Sequence, residues 1–163
     1  MDRQEYSREK RQSWAEVEAD IEALSRQVLA DYRPDVVVAV AEGGWIPARL
    51  FENFLPNAKY LSIGCTNYDD NERMLVAPVL YQTPDEKDLV GKTVLLIDEV
   101  CESGTTLRAV SECLRKMRPK DLRSAVLHRK IAASFKPDFF AHEVSDIWVI
   151  YPWVRKPRKQ DHT

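Results

Sequence analysis

Leu95-Leu96-Ile97-Asp98-Glu99-Val100-Cys101-Glu102-Ser103-Gly104-Thr105-Thr106-Leu107 is the stretch that decides the fold. Val94 to Ile97 are continuously apolar and read as a buried strand. Asp98 and Glu99 follow at its end, then a turn of small residues, then Leu107, Val110 and Leu114 at helical spacing. Ligands of open α/β sheets collect at the carboxyl ends of strands, so this turn is the expected site. Glu102-Ser103-Gly104-Thr105-Thr106 offers successive backbone N–H groups, three hydroxyls and one glycine at a helix N-terminus. That combination is a cradle for a phosphate. The adjacent acids repel a phosphate but suit sugar hydroxyls, or Mg²⁺ held through water. A phosphorylated ribose satisfies both halves. The turn lacks the Gly-Lys-Ser/Thr of a P-loop, and the chain has no G-x-G-x-x-G.

Toward the N-terminus, Asp35 to Val40 is a uniformly apolar, β-branched strand after its first residue, as expected of a sheet covered on both faces. Glu42-Gly43-Gly44 makes a tight turn after it, and Trp45 to Phe54 reads as a helix with Pro47 in its first turn. Tyr60 to Ile63 is a second strand. Residues 65–90 read as an excursion from the sheet: Thr66 to Arg73 polar, Met74 to Gln82 strand-like but interrupted by Pro78, Thr83 to Asp88 a turn. The 66–82 part is either a mobile lid or an ordinary surface hairpin. Ser13-Trp14-Ala15-Glu16 has the form of a capping box and opens a helix over 13–31, with Trp14, Val17, Ile21, Leu24 and Val28 on one face.

Toward the C-terminus, the motif helix ends near Met117, and Ser124 to His128 is a strand. Ala132 to Glu143 reads as irregular, and Ile147 to Ile150 as a last short strand. A basic tail occupies 155–163. Strands alternating with helices predict an α/β fold, a mainly parallel twisted sheet flanked by helices, in a single domain over 1–163.

Composition narrows the function. A net charge of −2 gives no electrostatic case for nucleic acid or an anionic membrane. No apolar run is long enough to span a bilayer, and the polar start Met1-Asp2-Arg3-Gln4-Glu5 is no secretory signal. Cys65, Cys101 and Cys113 are too dispersed for a zinc or disulfide framework, which fits a reducing cytoplasm. Cys101 reads as a packing residue rather than a nucleophile.

The stretch from Leu95 to Leu107 resembles the phosphoribosyl-diphosphate (PRPP) signature of the type I phosphoribosyltransferases. Val38-Ala39-Val40-Ala41-Glu42-Gly43-Gly44-Trp45-Ile46-Pro47-Ala48-Arg49 is similar to the corresponding part of microbial 6-oxopurine enzymes, and Ile147-Trp148-Val149-Ile150-Tyr151-Pro152-Trp153 to the C-terminal stretch of xanthine–guanine enzymes. The resemblance runs in order from about residue 35 to 154. It implies a small hood beside the sheet and a homo-oligomer, dimer or tetramer. Glu42, Gly43 and Gly44 become the diphosphate loop, and Asp98, Glu99, Glu102, Ser103, Gly104, Thr105 and Thr106 the PRPP site. Asp98 and Glu99 hold Mg²⁺ through water, and Glu102 is the catalytic group near the base. Lys130 donates to the exocyclic oxygen of the purine, Trp148 stacks on it, and Val149 meets its edge through the main chain, while Trp153 is structural. The chain departs from the family pattern at three positions: Glu42 where many relatives carry Arg or Lys, Glu102 where Asp is usual, and Val154 where an acid is common.

The implied activity is purine salvage, base plus PRPP giving nucleoside monophosphate and diphosphate. A PRPP- or nucleotide-binding regulator without turnover, or a transferase for another nitrogen heterocycle, are the alternatives.

Overall fold

The computed structural model describes residues 8–68, 74–145 and 147–154. Strand β2 (Val36–Ala41) is buried at every position, because its alternate residues serve two different cores. Val37 and Ala39 join one cluster, while Val36, Val38 and Val40 join the other. Strand β5 (Thr93–Cys101) divides in the same way, Leu95 and Ile97 against Val94 and Leu96. These two strands are the sheet's centre, and burial on both faces explains their unbroken apolar runs.

The sheet has six strands in the order β4-β3-β2-β5-β6-β7. Strands β3 (Lys59–Tyr68), β6 (Asp121–Lys130) and β7 (Phe139–Val144) run parallel to the centre, and only β4 (Met74–Gln82) is antiparallel, against β3. Helix α1 (Trp14–Asp31) and helix α2 (Trp45–Phe51) cover one face through Val17, Ile21, Leu24, Val28, Ala48 and Phe51. Helix α3 (Thr105–Lys116) covers the other with Leu107, Val110 and Leu114. The expected α/β class with a mainly parallel, helix-flanked sheet is borne out.

Local chemistry sets the helix ends. Both halves of the capping box at α1 are present: Ser13 Oγ accepts from the Glu16 amide at 3.2 Å, and a Glu16 carboxylate oxygen accepts from the Ser13 amide at 2.7 Å. Helix α2 stops at Phe51, and tighter turn bonds such as Phe54 N–H to Phe51 C=O carry the chain on, so it is shorter than its apolar pattern suggests.

Four strands differ from the sequence expectation. Strand β5 continues to Cys101, so Asp98 and Glu99 lie within the strand rather than beyond it. Residues 139–144 form β7 instead of irregular chain; this strand pairs on one side only and is half-exposed almost throughout, so no alternation marks it. The last strand, β8 (Ile147–Ile150), is not in the main sheet at all. It pairs in parallel with β1 (Arg8–Arg11), whose four charged residues carry no strand signal. Backbone pairing alone makes that strand.

Pro78 lies in β4, an edge strand, where a missing donor is tolerated. Residues 65–90, expected as an excursion from the sheet, instead extend it: β4 pairs with β3 as its edge strand, while residues 69–73 and the tail at 155–163 lie outside the described residues.

Candidate active site

Chain direction across the sheet reverses between β2 and β5: β2 leads through α2 outward to β3, and β5 leads through α3 outward to β6. The crevice at their carboxyl ends is the switch point where doubly wound sheets bind ligands. The two loops touch there. A Cβ on Gly43 would lie 2.7 Å from the Glu99 carboxyl carbon, so a larger residue there would have to push the Glu99 side chain aside. Gly44 is equally confined, against the Ile97 carbonyl at 2.5 Å. Glu42 stands exposed at the loop's outer edge.

The acid pair is built asymmetrically. Glu99 accepts a hydrogen bond from Trp153 Nε1 at 2.8 Å, and its backbone carbonyl accepts from the Tyr151 hydroxyl at 2.8 Å. Tyr151 and Trp153 stack with centroids 4.7 Å apart and planes 7° apart. Burial raises the Glu99 pKa, opposed by the Trp153 N–H. Asp98 is 9% exposed and accepts from the Glu99 amide at 2.8 Å. Burial first, then the charge of Glu99, raises its pKa well above the usual carboxylate range. Two adjacent carboxylates, both disfavoured as anions, match what a divalent cation relieves, and an all-oxygen donor set suits Mg²⁺.

The cradle is open and pre-shaped. Gly104 caps α3 at φ 87°, a left-handed conformation, and supplies no side-chain acceptor to the first amides. A Cβ there would lie 2.5 Å from that of Phe135. Ser103 Oγ and Thr105 Oγ1 share a hydrogen bond of 2.9 Å. The Ser103 carbonyl accepts from both the amide and the hydroxyl of Ser134, at 2.9 Å each, so the loop after β6 braces the turn. From the other side, Asn67 Nδ2 donates to Thr106 Oγ1 at 2.8 Å, tying β3 to the cradle.

Glu102 and Lys130 come together. Lys130 Nζ lies 3.8 Å from Glu102 Oε1 and donates to the Ile147 carbonyl. Burial raises the Glu102 pKa, while the Lys130 ammonium opposes the shift. Lys130 is 4% exposed, so a positive charge is held beside β8 in a largely dry place. An open cavity of about 510 Å³ is lined by Glu102 to Thr106 and by Trp148, with Asn67 and Val76 also on its lining. A smaller recess of about 70 Å³ continues between Glu99, Glu102, Trp148, Val149 and Val154. The sequence-nominated residues thus converge on one end of the sheet.

Cys101 is 1% exposed and donates to the Phe135 carbonyl at 3.4 Å; burial pushes its thiol up to about 11, which suits packing. The sequence reading missed Asn67, Ser134 and the part played by Trp153. A half-buried indole N–H favours a partner, and that signal was present in Tyr151-Pro152-Trp153.

A parallel α/β sheet with an anion cradle and two acids at its switch point defines a binder of phosphorylated sugars or nucleotides. Comparison narrows the class: the phosphoribosyl transferase domain model matches residues 11–156. The chain belongs to that family and is an enzyme of the phosphoribosyltransferase class. It is 30% identical to xanthine phosphoribosyltransferase 1 of Saccharomyces cerevisiae, over 81% of this chain and 83% of that one. A purine phosphoribosyltransferase from Pyrococcus horikoshii superposes with a TM-score of 0.81 at 30% identity, covering 91% of this chain and 96% of the other. A Neisseria gonorrhoeae protein solved with bound ppGpp gives a TM-score of 0.76 at 28% identity, with 89% of each chain covered.

Proposed function

We propose that the enzyme moves a 5-phosphoribosyl group from PRPP to a 6-oxopurine, namely xanthine, hypoxanthine or guanine, and releases diphosphate. One observation carries the reading: a single cavity is lined by both the Glu102–Thr106 turn and Trp148. A phosphate cradle and an aromatic platform therefore face the same space. The three unpaired cysteines suit a reducing cytoplasm, and among the described residues no helix is long and apolar enough to cross a membrane.

Breaking the bond to the leaving group puts positive charge on the ribose and negative charge on the diphosphate. Ser103 to Thr106 hold the 5′-phosphate through backbone N–H groups and hydroxyls. The Glu42–Gly44 loop borders the leaving diphosphate, with Gly43 close against Glu99. Asp98 and Glu99 bind ribose hydroxyls and would hold Mg²⁺ through water; the ion supplies charge neutralisation at the diphosphate. Glu102, with its pKa raised by burial, is the group that holds or accepts the proton leaving the purine ring. Lys130 donates to the exocyclic oxygen; an ammonium has no acceptor, so it favours a 6-oxo over a 6-amino group. Trp148 stacks on the ring and Val149 meets its edge.

The test is diphosphate release from PRPP and Mg²⁺ with xanthine, hypoxanthine, guanine and adenine in separate reactions. Release is expected with at least one 6-oxopurine and not with adenine, and Glu102→Gln should slow it by roughly 10²- to 10⁴-fold while PRPP still binds. Tight PRPP binding with no release from any base would replace the enzyme with a nucleotide-binding regulator. The exposed Glu42 in the diphosphate loop and the relative solved with ppGpp favour that second reading.

A further inference from the structure

Helix α1 packs on β6 and β7, and there Asp20, His128 and His142 bring their ligating atoms within 4.8 Å of one another. His142 Nε2 and Asp20 Oδ1 are 2.7 Å apart, and the two imidazoles stack with centroids 5.1 Å apart. Gln12 Nε2 donates to the other Asp20 oxygen at 2.9 Å. Two acceptors are left over in this cluster: His128 Nε2 and Gln12 Oε1 are both buried with no hydrogen-bond partner.

The tautomer of His128 follows from counting protons. Tyr151 has one hydroxyl proton and gives it to the Glu99 carbonyl, at 2.8 Å. Its oxygen therefore accepts from His128 Nδ1, at 2.9 Å. Nδ1 carries the ring proton, and the buried, unpartnered Nε2 keeps a free lone pair. Burial lowers the His128 pKa to about 4, so the ring is neutral over the physiological range.

We propose that Gln12, Asp20, His128 and His142 form a site for one divalent transition metal of the zinc class, bound by both imidazole Nε2 atoms and an Asp20 oxygen. Gln12 Oε1 or a water completes the set. Two imidazoles and a carboxylate suit zinc and its first-row neighbours, whereas Mg²⁺ prefers oxygen alone. Tetrahedral ligation at zinc distances separates ligand atoms by about 3.3 Å, so the widest edge of the cluster, within 4.8 Å, closes by at most about 1.5 Å. A metal-bound histidine normally donates its other N–H to a second oxygen, as His128 does to Tyr151. The His142 side chain is 42% exposed and gives an ion its way in. The site is separate from the Asp98–Glu99 pair, yet joined to it through Tyr151, so occupancy would steady the backbone under Glu99.

The experiment uses the full chain stripped with a chelator, Co²⁺ as a spectroscopic probe, and Zn²⁺ as competitor. Expected are one Co²⁺ per chain with visible d–d absorption, displacement by Zn²⁺ but not by Mg²⁺, and at least tenfold weaker binding in His142→Ala. Asp20→Asn, nearly isosteric and still able to accept from Gln12, should show the same loss and serves if the first variant does not fold. No saturable binding by the wild type, or an unchanged affinity in the folded variants, would overturn the site.

Discussion

Replacing Trp153 by Phe removes a single hydrogen bond, from Nε1 to Glu99 Oε2 at 2.8 Å, and keeps a ring to stack on Tyr151. Glu99 is half-buried, and that N–H is the contact favouring its charged form. A hydrogen bond to a charged group is worth about 1.5–3 kcal/mol, and one pKa unit corresponds to about 1.4 kcal/mol. Losing the donor should therefore raise the Glu99 pKa, already above its ordinary value, by about one to two units. On the proposed assignment the ionised form holds ribose hydroxyls or Mg²⁺, so activity should be lost as pH falls through this pKa. The acid limb of kcat/KM for PRPP should move upward by at least about one unit. Below the limb the variant is about tenfold slower or worse; well above it, the rate recovers. Diphosphate release measured from about pH 5 to 9 gives the profile. A limb that does not move in folded protein would refute the assignment of Trp153 as the group positioning Glu99. A uniform loss at every pH would mean that the indole acts by packing alone.

Two further substitutions probe the same strand end. Asp98→Asn keeps an acceptor for the Glu99 amide but abolishes a buried charge. In the folded chain Asp98 holds its proton well above the ordinary value of 3.8, so the native state binds more protons than the unfolded one in that window. Stability then falls as pH rises through it, and the variant should recover about 1–2 kcal/mol at neutral pH, seen as a Tm higher by roughly 2–8 °C, while turnover drops. A lower Tm at neutral pH would contradict the sign. Gly104→Ala forces a side chain into φ 87° and against Phe135, so it should cost about 1–3 kcal/mol in a denaturant titration and weaken PRPP binding. Wild-type stability would show that the left-handed cap is not required.

The central part of the fold was readable because burial on both faces leaves a plain mark: Val36 to Val40 and Val94 to Ile97 are apolar without interruption. The cradle was readable because its chemistry is local, five consecutive residues entering a helix. What was not readable depends on pairing across long stretches of chain. Nothing in Arg8-Glu9-Lys10-Arg11 announces a strand, and it becomes one only beside Ile147 to Ile150. The hydrogen bonds of Asn67 to Thr106, Ser134 to Ser103 and Trp153 to Glu99 join residues 39, 31 and 54 positions apart. Each is an ordinary polar residue until the sheet brings it to its partner. Lys130 was nominated for its place after a strand; β6 runs on to include it, and its contacts with Glu102 and the Ile147 carbonyl come from the fold alone.

The β1–β8 ribbon shares no ladder with the six-stranded sheet. The phosphate cradle is anchored to β5, at the sheet's centre, whereas Trp148 and Val149 sit on the ribbon, opposite Glu9 and Lys10. On the proposed assignment, the two halves of the substrate are gripped by mechanically distinct parts of one chain. A change at Trp148, which belongs to neither core cluster, could alter which base is accepted while leaving in place the core that holds the phosphorylated sugar. The fold is in this sense a fixed handle with an exchangeable jaw, and Arg8 to Arg11 belong to the jaw.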